Sequence, residues 1–470
     1  MASKTSSLES ISTHLAEFRL IPRLETYPRV VAFAQTAPGK VIMLALFGLG
    51  LRLSFFDLRT VLLLISALAL VTFLPSYRRL ILAVAPIGFV VLKSFRQPLF
   101  LGLNLAVIAL GVLLYLCSMR WPKSLLGRRP IVFLLSGFSV LILLACAAAS
   151  NTMLYSNLWN LVGIAVNYVW FIGYALLDRN SKPARDLTSE LAAFHPVWGS
   201  AYTPFPKGAA YLRRIEAQNP EQLAIVQLKG LKLLGWVTLL TVFQYLFHGF
   251  FDDYLRIPDF AQAMAMSVQG TPLPWHMRWA STILIYFELM VNVTIWGGRV
   301  IAMCRMAGFN ALRNTYRPLY ATTIAEFFNH YYYYYKELLV DFFFYPVFFH
   351  YWKGHRRIRT VFATFAAACL GSVFFHFTLD WRVIQNEGLW NAMVNYQAYF
   401  FCCFLLAAGV SISQLRKRGP GHGGFIRGRL IPAVGVNLFF CLISIFASEG
   451  THYPLVDYLR YVASLFFIHF

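Results

Sequence analysis

Long apolar blocks alternate with short polar ones over most of this chain. Hydrophobic stretches recur near residues 41–57, 60–74, 78–93, 98–118, 130–149, 156–177, 231–251, 279–303, 359–379, 389–413 and 429–448. About 20 apolar residues are needed to cross a bilayer as a helix, and most of these blocks approach that length. The pattern predicts an all-α, polytopic transmembrane protein with roughly eleven spans, within a range of about nine to thirteen. Shorter apolar runs near 338–352 and 456–470 are expected to be re-entrant or interfacial helices. Residues 1–40 mix Lys4, Glu9, Glu17, Arg19, Arg23, Glu25 and Arg29 and hold no uninterrupted apolar core, so no secretory signal is expected there. Leu8, Ile11, Leu15 and Phe18 recur at helical spacing, which suits an amphipathic helix over 6–20 as well as a solvated tail.

Composition agrees with the pattern: of 470 residues, 58% are hydrophobic and 13% charged, and the mean hydropathy is +0.58. The formal net charge of +21 changes the picture through its placement. Basic residues gather at Arg120/Lys123/Arg128/Arg129, Lys353/Arg356/Arg357/Arg359 and Arg416/Lys417/Arg418/Arg427/Arg429. The intervening connections carry Asp252, Asp253, Asp259, Asp380, Glu387, Glu449 and Asp457. The positive-inside rule places the basic loops in the cytoplasm, with the protein in the cell inner membrane. Because the cations border spans instead of forming one stripe, membrane topology and anionic lipids explain them, and nucleic-acid binding is not expected. The seven cysteines (117, 146, 304, 369, 402, 403 and 441) lie in or beside apolar runs without a CxxC pair, so neither a disulfide framework nor a metal site is expected.

The Pro/Gly-punctuated stretch 181–222 divides the chain. Residues 1–40 form an N-terminal cytoplasmic or interfacial segment, 41–180 a transmembrane half almost free of internal ionisable groups, and 181–470 the half that embeds Lys232, Glu288, Asn292, Asp341 and His376. The run Gly419-Pro-Gly-His-Gly-Gly424 lacks the strand and helix context of a nucleotide loop and reads as a flexible turn.

Candidate chemistry concentrates in 310–376. Every hydrogen-bonding group at bilayer depth must find a partner, so a segment this rich in Tyr, Asn, Arg and His implies a protein-lined polar chamber. His376, in Gly371-Ser-Val-Phe-Phe-His-Phe377, lies about 25 Å along a straight helix from Arg359. Imidazole suits proton abstraction because it titrates near working pH and burial favours its neutral form. The bland alternative is a packed histidine bonded to a carbonyl or hydroxyl. Asp341 requires a partner at this depth, and Lys336, Arg313 and Arg317 are the candidates. Of the consecutive tyrosines Tyr331 to Tyr335, at least two should face protein groups, because a helix turns its side chains in all directions. Glu288 and Asn292 share one helix face and suit either function or helix-to-helix hydrogen bonding. His195, His248, His330 and His350 lie at run ends or in loops, where interfacial placement accounts for them.

Taken in order, these segments resemble the membrane-bound O-acyltransferase (MBOAT) superfamily, and within it bacterial members that acylate exopolysaccharides or cell-wall polymers. The resemblance covers roughly 190–410 and rests on Phe194-His-Pro-Val-Trp-Gly-Ser-Ala-Tyr-Thr-Pro-Phe-Pro206, Glu288, Asn314-Thr-Tyr-Arg-Pro318, Ile324-Ala-Glu-Phe-Phe-Asn-His-Tyr-Tyr332, Val340-Asp-Phe-Phe-Phe-Tyr-Pro346 and Gly371-Ser-Val-Phe-Phe-His376. It implies an MBOAT-like core and an acyl donor, acyl-CoA or acyl carrier protein, entering as co-substrate from the cytoplasm. The acceptor would be a lipid, glycan or small molecule met inside the membrane. His376 matches the superfamily's nearly invariant histidine, with Tyr332 as the second catalytic residue and Asn329, Asp341, Glu288 and Arg317 in support. The chain departs from the pattern at three places: Tyr332 stands where the superfamily has histidine or asparagine, Val340 where it has arginine, and Phe375 where it has tryptophan. The alternative these departures allow is a catalytically degraded relative that binds lipid or carrier and scaffolds a membrane complex.

Overall fold

A computed structural model describes residues 20–54, 56–179, 186–194, 196–199, 207–416, 424–447 and 453–468. The segments read above as a helix over 6–20, as the glycine-rich turn from 419 and as the site of His195 lie wholly or mainly outside the described residues. Among the described residues helix is the regular structure, beside one isolated antiparallel bridge between Glu216 and Phe309. In chain order the elements used below are α1 (Pro28–Gln35), α2 (Ala37–Leu53), α3 (Leu58–Phe73), α4 (Pro75–Ser94), α5 (Pro98–Arg120), α6 (Pro130–Ala147), α7 (Met153–Asp178), α8 (Pro220–Tyr254), α9 (Trp275–Met306), α10 (Ile324–His330), α11 (Tyr333–Leu339), α12 (Tyr345–His350), α13 (Arg356–Leu379), α14 (Gln397–Leu415), α15 (Ile426–Ala447) and α16 (Leu455–Ser464).

Among the described residues nine helices, α4 to α9 and α13 to α15, are long and apolar enough to cross a membrane, and the pair α1–α2 makes ten if it counts as one broken span. The roughly eleven expected spans contract for a simple reason. The block near 60–74 becomes α3, whose 16 residues rise about 24 Å against a hydrocarbon core of about 30 Å. The block near 41–57 becomes α2, bent by 95° from α1. At that bend Thr36 caps α2, its Oγ1 accepting from Gly39 N at 3.2 Å and donating to Phe33 O at 2.7 Å. A Cβ on Gly39 would lie 2.0 Å from the Phe33 carbonyl oxygen, so the corner closes only with glycine there. Elsewhere the starts are conventional: Asp57 caps α3, Thr152 caps α7 and Asn219 caps α8, while Pro98, Pro130 and Pro220 occupy first-turn positions that need no N–H.

Burial separates centre from rim. In α7, 67% of the most apolar window is buried, against 22% in each of α4, α5 and α6, so α7 is central and those three present most of their surface outward. The α7 core residues Trp159, Tyr168, Trp170 and Tyr174 pack with Leu338, Phe342 and Phe375 of the later chain. The earlier half of the sequence therefore forms part of the wall that holds the 333–376 region. Gly173 permits this contact, since a Cβ there would sit 2.5 Å from the Phe342 ring.

Two irregular turns shape the same region. Val340–Phe344 joins α11 to α12 as a π-helical turn, and Ala366–Gly371 interrupts α13 in the same way. Such turns occur often at functional sites because the extra residue redirects side chains. The two pack together, and a Cβ on Gly371 would lie 2.7 Å from Phe343.

Candidate active site

The polar motif 310–318 works first as a splint. Asn314 accepts at both oxygens, its carbonyl from Tyr333 N at 3.0 Å and its Oδ1 from Tyr334 N at 3.3 Å, which satisfies the open N–H groups that begin α11. Tyr316 N donates to His330 O at 2.7 Å, and His330 Nδ1 meets Tyr316 O at 2.8 Å, tying the motif to the end of α10. Within this frame two residues adopt left-handed backbone, Arg317 (φ 54°) before Pro318 and Tyr332 (φ 55°) before α11. Non-glycine residues pay for that conformation, and it persists where surrounding contacts dictate it.

The turn at Tyr332 sets the order of the tyrosines. Tyr334 and Tyr335 are buried, 0% and 6% exposed, which meets the expectation that at least two face protein. Tyr334 donates to Leu312 O at 3.3 Å and shares a hydrogen bond with Tyr211 at 3.2 Å. Tyr335 points to the other side, where its ring lies 5.6 Å from His376 and 5.0 Å from Phe375. His376 is half-buried, with Tyr399 of α14 at 5.0 Å on its other flank, and it makes no hydrogen bond or ion pair among the described residues. Tyr332 stacks on Tyr335 at 4.9 Å and stands one ring behind it. The hydroxyls of Tyr335 and Ser372 are both buried without a hydrogen bond of ordinary geometry. An imidazole is thus enclosed by phenols, and the Tyr335 hydroxyl lies close to those of Ser372 and Tyr399.

The other sequence-derived residues distribute around this centre. Asp341 finds its partner in Lys207, whose Nζ lies 2.8 Å from Asp341 Oδ2 and 2.9 Å from Glu337 Oε2; Lys336 pairs with Glu337 at 2.6 Å. The expected partners Lys336, Arg313 and Arg317 are replaced by Lys207 because the chain within the Pro/Gly-punctuated stretch returns against α11. Burial draws the Lys207 ammonium downward, but Asp341 and Glu337 outweigh it and hold it above the ordinary lysine value. Lys207 and Asp341 line a cavity of about 420 Å³ with Asp178, Arg214 and His350. Glu288 and Asn292 both face α8, Glu288 toward His248 Nε2 at 3.5 Å and Asn292 accepting from Gln244 Nε2 at 2.6 Å. Asn329 is exposed and accepts from Lys336 at 3.2 Å. Arg317 lines a separate cavity with Arg313 and lies over the Tyr316 ring at 5.3 Å.

Three neighbours of the site were not singled out from sequence. Tyr399 lies in a block that reads as plain membrane span, and its signal is a pair of hydroxyls, Tyr396 and Tyr399, one helical turn apart in an apolar run. Tyr335 stood undistinguished within a run of five. Lys207 is signalled only as a lone cation at the end of Pro204-Phe-Pro-Lys207.

Fold and site together define an all-helical, multi-pass membrane protein with a polar and aromatic centre inside its bundle. In comparison with known proteins, no family model and no curated sequence matches this chain.

Proposed function

We propose that the protein is an inner-membrane acyltransferase of the MBOAT type, moving an acyl group from a thioester donor to a hydroxyl or amine of an envelope acceptor. The observation that carries this reading is His376, a histidine without a hydrogen-bond partner among the described residues, enclosed by Tyr335 and Tyr399. Neutral His376 removes the proton from the acceptor hydroxyl as its oxygen attacks the thioester carbonyl. A tyrosine hydroxyl donates to the developing oxyanion; the Tyr399 and Tyr335 rings flank the imidazole at 5.0 and 5.6 Å, with Tyr332 stacked behind Tyr335. The tetrahedral intermediate then expels the donor thiolate, which takes the proton back from the imidazolium. Direct transfer is preferred to a covalent enzyme intermediate, because the seven cysteines are intermediate or buried and, among the described residues, none is paired with a base in an ion pair or hydrogen bond. Lys207, Asp341 and Glu337 hold the α11–α12 turn in place instead of touching the reacting atoms.

Mass spectrometry of envelope lipids and glycans tests this, comparing cells that express the wild type or His376→Ala at matched protein levels. The proposal expects an acyl-mass difference present with the wild type alone. Identical profiles overturn it. One observation favours the second reading, a catalytically degraded scaffold: the His376 ring is also packed by Phe375 at 5.3 Å, as a purely structural histidine would be. That reading predicts unchanged partner or lipid binding by His376→Gln and no turnover by either form.

A further inference from the structure

Six basic side chains, Arg23, Lys229, Lys232, Arg305, Arg313 and Arg317, line one cavity of about 940 Å³ beside α8 and α9. Among the described residues Glu25 is the carboxylate on its wall, and it is paired with Lys232. Six cations less one carboxylate leave an excess of five positive charges. None of the other five cations has a carboxylate partner among the described residues. Arg305, 8% exposed, donates to Ala311 O at 2.7 and 3.0 Å, while Arg313 and Arg317 lie over the Tyr316 ring. Carbonyls and ring faces orient these guanidinium groups without neutralising them. Asn314, 2% exposed, lines the same cavity, with its Oδ1 accepting from Tyr334 N at 3.3 Å and its Nδ2 packed beside Gly297.

Like charges confined to one cavity repel, and an anion that enters relieves the repulsion. Guanidinium forks match phosphate oxygens in pairs, and lysine adds point charge. We propose that this cavity is a binding site for a phosphate-bearing anion, separate from the His376 centre. The ligand is either the headgroup of an anionic phospholipid or a soluble phosphate ester, and both offer the same recognised chemistry. The site does not depend on the acyltransferase reading, because its test reads binding and not turnover.

The test uses the full chain in two arms. In detergent, inorganic pyrophosphate is titrated by calorimetry; in nanodiscs of phosphatidylcholine with phosphatidylglycerol, native mass spectrometry identifies the retained lipid. At least one probe should bind the wild type, with a tenfold or greater loss in Arg313→Gln/Arg317→Gln and recovery of most of it in Arg313→Lys/Arg317→Lys. Pyrophosphate binding assigns a soluble phosphate ester, and selective retention of phosphatidylglycerol alone assigns a lipid headgroup. Should the double glutamine variant not fold, Lys229→Gln serves, with a weaker affinity and a shallower salt dependence expected. Absence of binding by both probes, or binding unchanged in the folded variants, overturns the proposal.

Discussion

Lys207 shows how a single residue can organise a site without reacting in it. Its ammonium bridges Glu337 and Asp341, all three about one-fifth exposed (18%, 21% and 21%), so removal of the cation leaves Glu337 with Lys336 alone and Asp341 without its cation, in a site with little water. Lys207→Met should therefore destabilise the protein by about 3 kcal/mol, and Lys207→Met/Asp341→Asn should regain part of that loss. Thermal unfolding in detergent measures both; a double variant less stable than the single one would contradict the bridge. Sequence alone supplied Asp341 and the need for a partner but named the wrong ones, because pairing across 134 positions is a matter of tertiary return and leaves no local spacing. The same limit applies to His376, legible as an imidazole in an apolar run, whereas its flanking Tyr399 comes from another helix. Tyr335 lies beside His376, with Tyr332 stacked behind it, for a local reason: the left-handed turn at Tyr332 starts a new helix.

At the scale of elements, two glycine contacts bring α7, the 340–344 turn and the 366–371 turn together. Gly371→Ala places a methyl 2.7 Å from the Phe343 ring and should cost about 1–3 kcal/mol, with the site loosened as well. Gly88→Ala in α4 meets nothing within 4 Å and should leave the melting temperature unchanged or raise it slightly. Equal effects of the two substitutions would contradict this packing account. The short helix Leu187–Phe194 buries Glu190, 1% exposed, against Arg213 at 3.4 Å. Burial, with the Asp178 charge adding and Arg213 opposing, pushes its carboxyl up to about 7. A folded-state pKa above the ordinary 4.5 means that the folded protein holds the proton more tightly than the unfolded chain, so this contribution is full below about pH 4.5 and is lost as pH rises through about 7. Relative to the wild type, Glu190→Gln should gain stability between pH 5 and pH 8, by at most about 3 kcal/mol. A pH-independent difference would show that Glu190 titrates normally. Helix existence was legible from apolar block length, but the corner at Thr36 and both π turns were not, since each depends on which neighbouring surface the chain must fit.

For the whole molecule, hydropathy sufficed for the class, because a chain with this many apolar blocks has few ways to satisfy its backbone other than helices. Charge placement extends this to orientation. The loop 351–355 should be cytoplasmic and the loop 269–274 external, with a fluorescent reporter bright in the first and a periplasmic phosphatase active in the second. The opposite pattern, phosphatase active in the first loop and fluorescence bright in the second, would contradict the proposed topology. The division into a supporting first half and a reactive second half was read from polarity alone. Structurally α7 belongs to the wall around Phe342 and Phe375, so the two halves share one core.

The central claim, that an imidazole set among phenols drives acyl transfer, is tested most directly in isolated membranes. Membranes carrying the wild type or His376→Ala, at equal folded protein, would receive isotope-labelled acyl-CoA or acyl carrier protein loaded with the same acyl group. The account predicts label in a membrane lipid or glycan with the wild type, and a rate lower by about 100- to 10,000-fold with His376→Ala. Equal label transfer by both proteins would contradict it.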